Sequence, residues 1–103
     1  MSAETLRTTV QGLIACLLCV SRVFAASTLD QVERDKTLRV CIWPDYFGIS
    51  YRNPKTGQLS GIDIALSAAL ARDLGVRVEY VDSSFPQLIA DIGERRCDIA
   101  MFG

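Results

Sequence analysis

The stretch TLRVCIWPDYFGISYRNPKTGQLSGIDIALSA, residues 37–68, places β-forming residues directly before an aromatic and acidic loop, a polar turn and a periodic apolar segment. Residues 38–43 alternate little between apolar and polar, which predicts a parallel strand buried on both faces. Pro44 ends this strand because proline has no N–H to donate to a sheet. In an open parallel sheet, ligands meet the carboxyl ends of the strands, so this order of elements is typical of a pocket wall.

A hairpin and a helix follow the loop. The segment 53–57, which contains proline and glycine, predicts a turn between short strands at 49–52 and 58–59. After it, apolar residues recur at spacings of three and four and predict one apolar helix face: Ile62, Leu66, Ala69, Leu70 and Leu74. Gly75 ends this helix. Asp63 lies in its first turn, where the helix dipole favours a negative charge.

Two more strands and a second helix complete the pattern. Residues 76–81 predict a strand, and residues 98–102 predict another. Ser84 stands three residues before Gln87, which predicts a capping box at the start of the second helix. The apolar side of that helix is predicted to hold Leu88, Ile89 and Ile92. The alternation of strands and helices specifies right-handed parallel crossovers, with the first strand between the other two.

The first quarter of the chain differs from the rest. An apolar run over residues 12–20 is followed by Val23 and Ala25, small residues at the positions that signal peptidase prefers. That run is about half of the roughly 20 residues that a transmembrane helix needs. Cys16 formally matches a lipoprotein cleavage box, but the polar residues before it favour a plain hydrophobic residue. The predicted organisation has three parts: a cleaved signal peptide over 1–25, a polar lead-in with a short helix over 26–36, and a truncated α/β lobe over 37–103.

Composition excludes several classes of function. The chain has 103 residues, with 11 basic and 12 acidic side chains and a net charge of −1. Without residues 1–25, nine basic and eleven acidic residues remain, a net charge of −2, and no basic stripe suggests nucleic acid. The sequence has no histidine, which removes a zinc-type Cys/His pattern and a Ser/His/Asp site. We therefore predict no metal, no cofactor and no catalytic residue within this chain.

Two motifs resemble the opening of the family 3 extracellular solute-binding proteins, which capture amino acids and similar polar solutes for ABC importers. These are PDYFGISY, residues 44–51, and GIDIALSAAL, residues 61–70, which follows the family pattern G-[FI]-D-[IVL]-D-L except that Ala65 replaces the second acidic residue. The resemblance runs from about Leu29 to Gly103. Family members are usually much longer, so it implies part of a first lobe: a three-stranded, mostly parallel sheet with flanking helices and a short hairpin.

The resemblance also implies ligand contacts. Tyr46 occupies the place of an aromatic residue that packs on the ligand, and Asp45 beside it would attract an ammonium group. Phe85 falls where the family places a second contact, and Phe102-Gly103 precede the family's carboxylate-binding loop. The alternative interpretation is that these rings only cover the end of the sheet, that Asp45 caps the turn and that Phe85 packs locally.

Cys41 and Cys97 are the cysteines that remain after removal of the signal peptide. Export would place them in an oxidising compartment, on strands that are expected to be neighbours. We predict a disulfide, which would contribute about 4 kcal/mol by the chain-entropy treatment. The alternative is a pair of small buried hydrophobic residues, because one cysteine lies near the middle of its strand and the other at a strand start.

The predicted function is therefore binding. The resemblance implies a periplasmic receptor for an amino acid or similar small polar solute, with an inner-membrane ABC permease as its partner. The first alternative is an exported cyclohexadienyl or arogenate dehydratase, which shares the fold and the style of the opening motifs. A second is the sensor domain of a membrane receptor. No spacing of carboxylates, or of a nucleophile and a base, requires catalysis in these residues, so binding is favoured.

Overall fold

The computed structural model of the chain describes residues 27–103, and the predicted signal peptide lies outside the described residues. The helices are α1 (Thr28–Asp35), α2 (Ile62–Leu74) and α3 (Leu88–Gly93), and the strands are β1 (Thr37–Ile42), β2 (Asp45–Tyr46), β3 (Ser50–Arg52), β4 (Leu59–Ser60), β5 (Arg77–Asp82) and β6 (Ile99–Ala100). No helix in this part of the chain is long and apolar enough to cross a membrane.

The larger sheet has the strand order β5-β1-β6, and all of its pairings are parallel. Strand β1 is aligned with β5 from the Thr37–Arg77 pair onward, and Val40 of β1 is opposite Ile99 of β6. This arrangement confirms the prediction of a three-stranded parallel sheet with the first strand in the middle. Strand β6 is shorter than predicted, although Met101 N still donates to the carbonyl of β1 residue 41 at 3.0 Å.

A second, antiparallel sheet has the order β2-β3-β4. The turn between β3 and β4 is held by the Asn53 side chain, whose Oδ1 accepts from the N–H groups of Lys55 and Thr56 at 2.9 and 3.3 Å. This hairpin was predicted, but strand β2 was not. In strand β2, Asp45 and Tyr46 pair antiparallel with the first residues of β3. The hairpin therefore holds the aromatic and acidic loop at the end of β1.

The core surrounds β1, as the prediction of a strand buried on both faces requires. Five residues form its buried centre: Val32, Leu38, Val40, Ile42 and Ala71. The lead-in helix α1 contributes Val32 to this centre. The helix starts with a capping box, in which Ser27 Oγ accepts from Asp30 N at 3.1 Å and Asp30 Oδ2 accepts from Ser27 N at 3.2 Å. The S-x-x-D spacing at residues 27–30 could have revealed this start from sequence.

Helix α2 presents to the sheet a different face from the one its apolar spacing predicts. Ile62 and Leu66, two residues of the predicted face, are 62% and 55% exposed. The buried residues of the helix are instead Asp63, Ser67 and Ala71. The predicted inward face was therefore wrong, although Leu74 at its end does pack against the core.

The rotation of α2 is fixed at its first residues. A Cβ on Gly61 would collide with the backbone of Ile49, so only glycine allows this approach. The N–H of Asp63 donates to the Ile49 carbonyl at 2.9 Å, which turns the aspartate toward the sheet. One turn later, Ser67 Oγ lies 2.8 Å from the hydroxyl of Tyr80 on β5, so the polar residues on the inward face have hydrogen-bond partners.

Helix α3 shows the same reversal. Ile89 is 86% exposed and Ile92 is exposed, whereas Asp91 is buried. The predicted capping box at Ser84 forms only a turn, in which Ser84 Oγ accepts from Gln87 N at 3.3 Å, and the helix begins after it at Leu88. The predicted apolar side was wrong because a carboxylate, described below, occupies the inward position.

Candidate functional site

Four aromatic side chains from three segments of the chain meet at the carboxyl edge of the parallel sheet. We call Trp43, Tyr46, Phe85 and Phe102 the aromatic wall. Trp43 lies 5.4 Å from both Tyr46 and Phe85, measured between ring centroids, and Phe85 lies 5.0 Å from Phe102. The rings are tilted or edge-to-face, which is the arrangement that aromatic quadrupoles favour. None of the four is fully buried, so ring surface remains available to a ligand.

The backbone around Pro44 places the first two rings. Tyr46 N donates to the Trp43 carbonyl at 3.2 Å, and Ser50 Oγ donates to the same carbonyl at 2.8 Å. Ser50 is fully buried, so this tie is shielded from water. The Trp43 and Tyr46 rings are consequently held over the end of β1, where the sequence predicted Tyr46 but gave no role to Trp43.

The other predicted site residues divide into two groups. Phe85 follows β5 and Phe102 follows β6, and the structure brings both into the aromatic wall. Gly103 lies against the Tyr46 ring, since a Cβ on this glycine would be 3.3 Å from Cε1 of the tyrosine. Asp45, in contrast, is exposed on β2, with its backbone opposite Tyr51 of β3. Four of the five predicted contacts are therefore adjacent, and Asp45 stands at the margin.

Two contacts at this edge were not predicted. Asp63 Oδ2 accepts a hydrogen bond from Gly103 N at 2.8 Å. Asp91 Oδ2 accepts one from Ser83 Oγ at 2.6 Å, in the segment that leads from β5 to Phe85. Both carboxylates come from the inward faces of helices. Apolar spacing predicted the opposite faces to be inward, so it could not predict these carboxylates at the edge of the sheet.

An ion pair links the hairpin to the parallel sheet. Arg52 Nη2 lies 2.8 Å from Asp82 Oδ1, joining the end of β3 to the end of β5. Both side chains are well exposed, so the pair contributes roughly 0–1 kcal/mol to stability. The pair is one contact between the hairpin and the carboxyl edge where the aromatic wall lies.

The structure joins Cys41 and Cys97 by a disulfide, with 5.5 Å between their α-carbons. Both cysteines are buried, one in β1 and one just before β6. Asp98 N donates to the Arg39 carbonyl at 2.8 Å, which aligns the chain entering β6 with β1. The link fastens the central strand to the segment that enters β6.

Two concave regions lie elsewhere. A groove of about 310 Å³ between α1 and α2 is lined mainly by apolar side chains, including Leu29, Leu70 and Ile99. A smaller pocket of about 130 Å³ includes Arg39 and Arg95. Neither of these two includes a residue of the aromatic wall. Among residues 27–103, no group of three or more His, Cys, Asp or Glu side chains is arranged to hold a metal ion.

Residues 38–103 match the bacterial extracellular solute-binding proteins, family 3. The chain is 35% identical over 102 residues to a cyclohexadienyl dehydratase of Pseudomonas aeruginosa, an alignment that covers 97% of this chain and 38% of the relative. It is 29% identical over 75 residues to a probable amino-acid ABC transporter-binding protein of Haemophilus influenzae, covering 73% of this chain and 29% of the relative. The chain thus spans well under half the length of these curated relatives.

A solved structure gives the same fold. Domain 1 of the arginine-binding protein of T. maritima, in its arginine-bound form, superposes with a TM-score of 0.67 at 27% identity. The match covers 72% of this chain and 58% of that domain. The parallel sheet and its flanking helices are therefore those of a periplasmic binding protein, in a segment that corresponds to part of one lobe.

Proposed function

The chain belongs to the bacterial extracellular solute-binding proteins, family 3, and we propose that it contributes the ligand-binding wall of a receptor for a free amino acid. The observation that supports this most directly is the convergence of four rings from three segments at the carboxyl edge of the sheet. In open α/β sheets this edge is where ligands bind. The arginine-bound relative supports an amino acid as the ligand class.

In this proposal each predicted residue has a physical task. Tyr46 packs its ring on the ligand, and Phe85 and Phe102 extend the same apolar surface. Asp45, exposed beside the wall, attracts the ammonium group of the ligand. Gly103 keeps the approach to the Tyr46 ring open, because a side chain there would crowd that ring. Aromatic faces attract cations as well as apolar groups, so a cationic amino acid such as arginine suits this wall.

The proposed partner is an inner-membrane ABC permease, and the proposed location is the periplasm. Both rest on the family and on the similarity to the H. influenzae transporter-binding protein. We expect export to remove residues 1–25 and to leave Ala26 as the first residue. Intact-mass analysis of the periplasmic fraction checks this, and a lipid on Cys16 or an uncut N-terminus would contradict it.

Trp43 provides a direct test of ligand binding, because it is the one tryptophan of the chain and belongs to the aromatic wall. Titration with an amino-acid panel should give a saturable change in Trp43 emission for arginine or lysine. We expect a dissociation constant of about 1 mM or weaker, since one wall without a closing lobe provides few contacts.

The matched variants are Tyr46→Ala and Tyr51→Ala. Both remove a tyrosine ring from the small antiparallel sheet, but Tyr51 packs on Phe47 outside the aromatic wall, at 5.2 Å between ring centroids. Tyr46→Ala should abolish the saturable change, whereas Tyr51→Ala should retain it. Equal responses in the two variants, or no response to any amino acid at roughly 100 mM, would count against the proposal.

A dehydratase is the second candidate, because the P. aeruginosa relative carries that name at 35% identity. An enzyme of this type would bind a cyclohexadienyl substrate against the same aromatic wall. Incubation of the chain with arogenate, followed by the ultraviolet absorbance of an aromatic product, separates the two candidates. Product formation above a heat-denatured control would replace the receptor proposal, and its absence together with amino-acid binding would support it.

A further inference from the structure

Two buried carboxylates lie beneath the aromatic wall without belonging to it. Asp63 of α2 is 6% exposed, and Asp91 of α3 is 2% exposed. Burying a carboxylate is unfavourable unless hydrogen bonds or a charged partner compensate for the lost water. Both helices nevertheless turn an aspartate inward while large apolar residues of the same helices face outward. The contacts that each carboxylate makes indicate what this arrangement achieves.

Asp63 joins two segments of the site. Its N–H donates to the Ile49 carbonyl at 2.9 Å, next to the loop that carries Tyr46. Its Oδ2 accepts from Gly103 N at 2.8 Å, directly after the wall residue Phe102. Gly103 in turn contacts the Tyr46 ring. One aspartate therefore fixes the chain that leaves β6 against the loop that leaves β1.

Asp91 makes the corresponding contact with the segment that follows β5. Its Oδ2 accepts from Ser83 Oγ at 2.6 Å, and Ser83 N donates to the Ile42 carbonyl at 2.8 Å. Arg96 Nη1 lies 3.4 Å from the other carboxylate oxygen, which has no hydrogen-bond partner among the described residues. The segment that carries Phe85 is thus held between the end of β1 and a buried charge.

We propose that Asp63 and Asp91 are positioning residues, which hold the segments after β6 and β5 so that the aromatic wall is assembled before any ligand arrives. Neither carboxylate contacts the ligand. Each acts through an intermediate group: the backbone of Gly103 for Asp63, and the hydroxyl of Ser83 for Asp91. Preorganisation of this kind raises affinity by lowering the ordering that binding requires. The expected change in ligand affinity rests on the proposed function, whereas the expected changes in amide exchange and Trp43 quenching do not.

Three single variants of the full chain and one double variant test the proposal by Trp43 fluorescence and amide exchange. In Asp63→Ala, exchange of the Gly103 amide should accelerate by roughly tenfold, because that N–H loses a charged acceptor. In Asp91→Ala and in Ser83→Ala, acrylamide should quench Trp43 more strongly, because Phe85 no longer packs steadily against it. The double variant of Asp91 and Ser83 should show no additional quenching, since each single change removes the same bond.

Ser67→Ala is the matched control. Ser67 is also a buried polar residue on the inward face of α2, but it bonds to the Tyr80 hydroxyl and the Ile64 carbonyl, away from the aromatic wall. Its loss should lower the free energy of unfolding and leave Gly103 exchange and Trp43 quenching unchanged. Should Asp63→Ala or Asp91→Ala fail to fold, Asp63→Asn and Asp91→Asn keep the side-chain volume and still weaken the charge-assisted bond.

The outcomes separate this inference from the proposed function. The positioning roles would be overturned if the aspartate variants showed the Gly103 exchange and Trp43 quenching of the parent. They would also be overturned if Ser67→Ala changed both quantities equally. L-arginine serves as the ligand probe, and its dissociation constant should rise by roughly tenfold in each aspartate variant. If no amino acid of the panel binds the parent or the variants, the proposed function fails, while the exchange and quenching data still decide the positioning roles.

Discussion

Strand β1 and helix α2 both carry apolar residues, yet they use them in opposite ways. In β1, five of the six residues from Thr37 to Ile42 are buried, so the strand is enclosed on both faces. In α2, Ile62 and Leu66 face outward, while the buried residues are Asp63, Ser67 and Ala71. A strand that is buried on both faces offers no choice of orientation. A helix can rotate about its axis, and here its first residues determine the rotation.

Removal of the disulfide is the strongest test of the contribution of β1 to stability. Replacing both Cys41 and Cys97 by alanine should lower the free energy of unfolding by about 4 kcal/mol, because the link closes a long loop between neighbouring strands. Denaturant unfolding of the oxidised chain and the double variant measures the difference. Peptide mapping under non-reducing conditions supplies the check on the bond, and two thiols that alkylate without prior reduction would show that the cysteines are unpaired in solution.

A pair of identical substitutions tests the comparison itself. Leu38→Ala in β1 removes a side chain that is 2% exposed and should cost about 3 kcal/mol. Leu66→Ala in α2 removes one that is 55% exposed and should change the free energy of unfolding by less than about 0.5 kcal/mol. Urea unfolding of both variants gives the two values. Similar losses would mean that the outward face of α2 is covered in solution.

Gly61→Ala probes the anchor that sets the rotation of α2. Its backbone φ of 125° is strained for alanine, and the added Cβ would meet the Ile49 backbone, so we expect a loss of about 2 kcal/mol or more. Gly57→Ala is the control, because its φ of 73° is also positive but no atom lies within 4 Å of the added Cβ. Thermal unfolding should place Gly57→Ala nearer the parent. A larger loss of stability in Gly57→Ala than in Gly61→Ala would contradict the steric role of Gly61.

The smallest expected change concerns α3. Ile89 is 86% exposed, so Ile89→Ser should alter the free energy of unfolding by less than about 0.5 kcal/mol. It should also reduce binding of the dye ANS, since it removes an exposed apolar side chain. A loss above about 1 kcal/mol would indicate that this side of the helix packs against something in solution.

Much of the fold followed from local pattern. The strand ending at Pro44, the turn over residues 53–57 and the helix stop at Gly75 all depend on backbone chemistry that proline, asparagine and glycine carry with them. The parallel order β5-β1-β6 followed from the handedness of the crossovers. The convergence of Tyr46, Phe85 and Phe102 followed in turn, because the carboxyl ends of adjacent parallel strands meet at one edge.

The residues of this chain were sufficient to indicate where its strands run, because burial on both faces and the obligatory pairing of backbone groups leave few alternatives. They did not indicate which side of each helix faces the sheet. That choice depends on contacts between residues far apart in sequence, such as Asp63 with Gly103, and Ser67 with Tyr80. A buried carboxylate becomes acceptable only when its donors are in place, and only the folded chain brings those donors together.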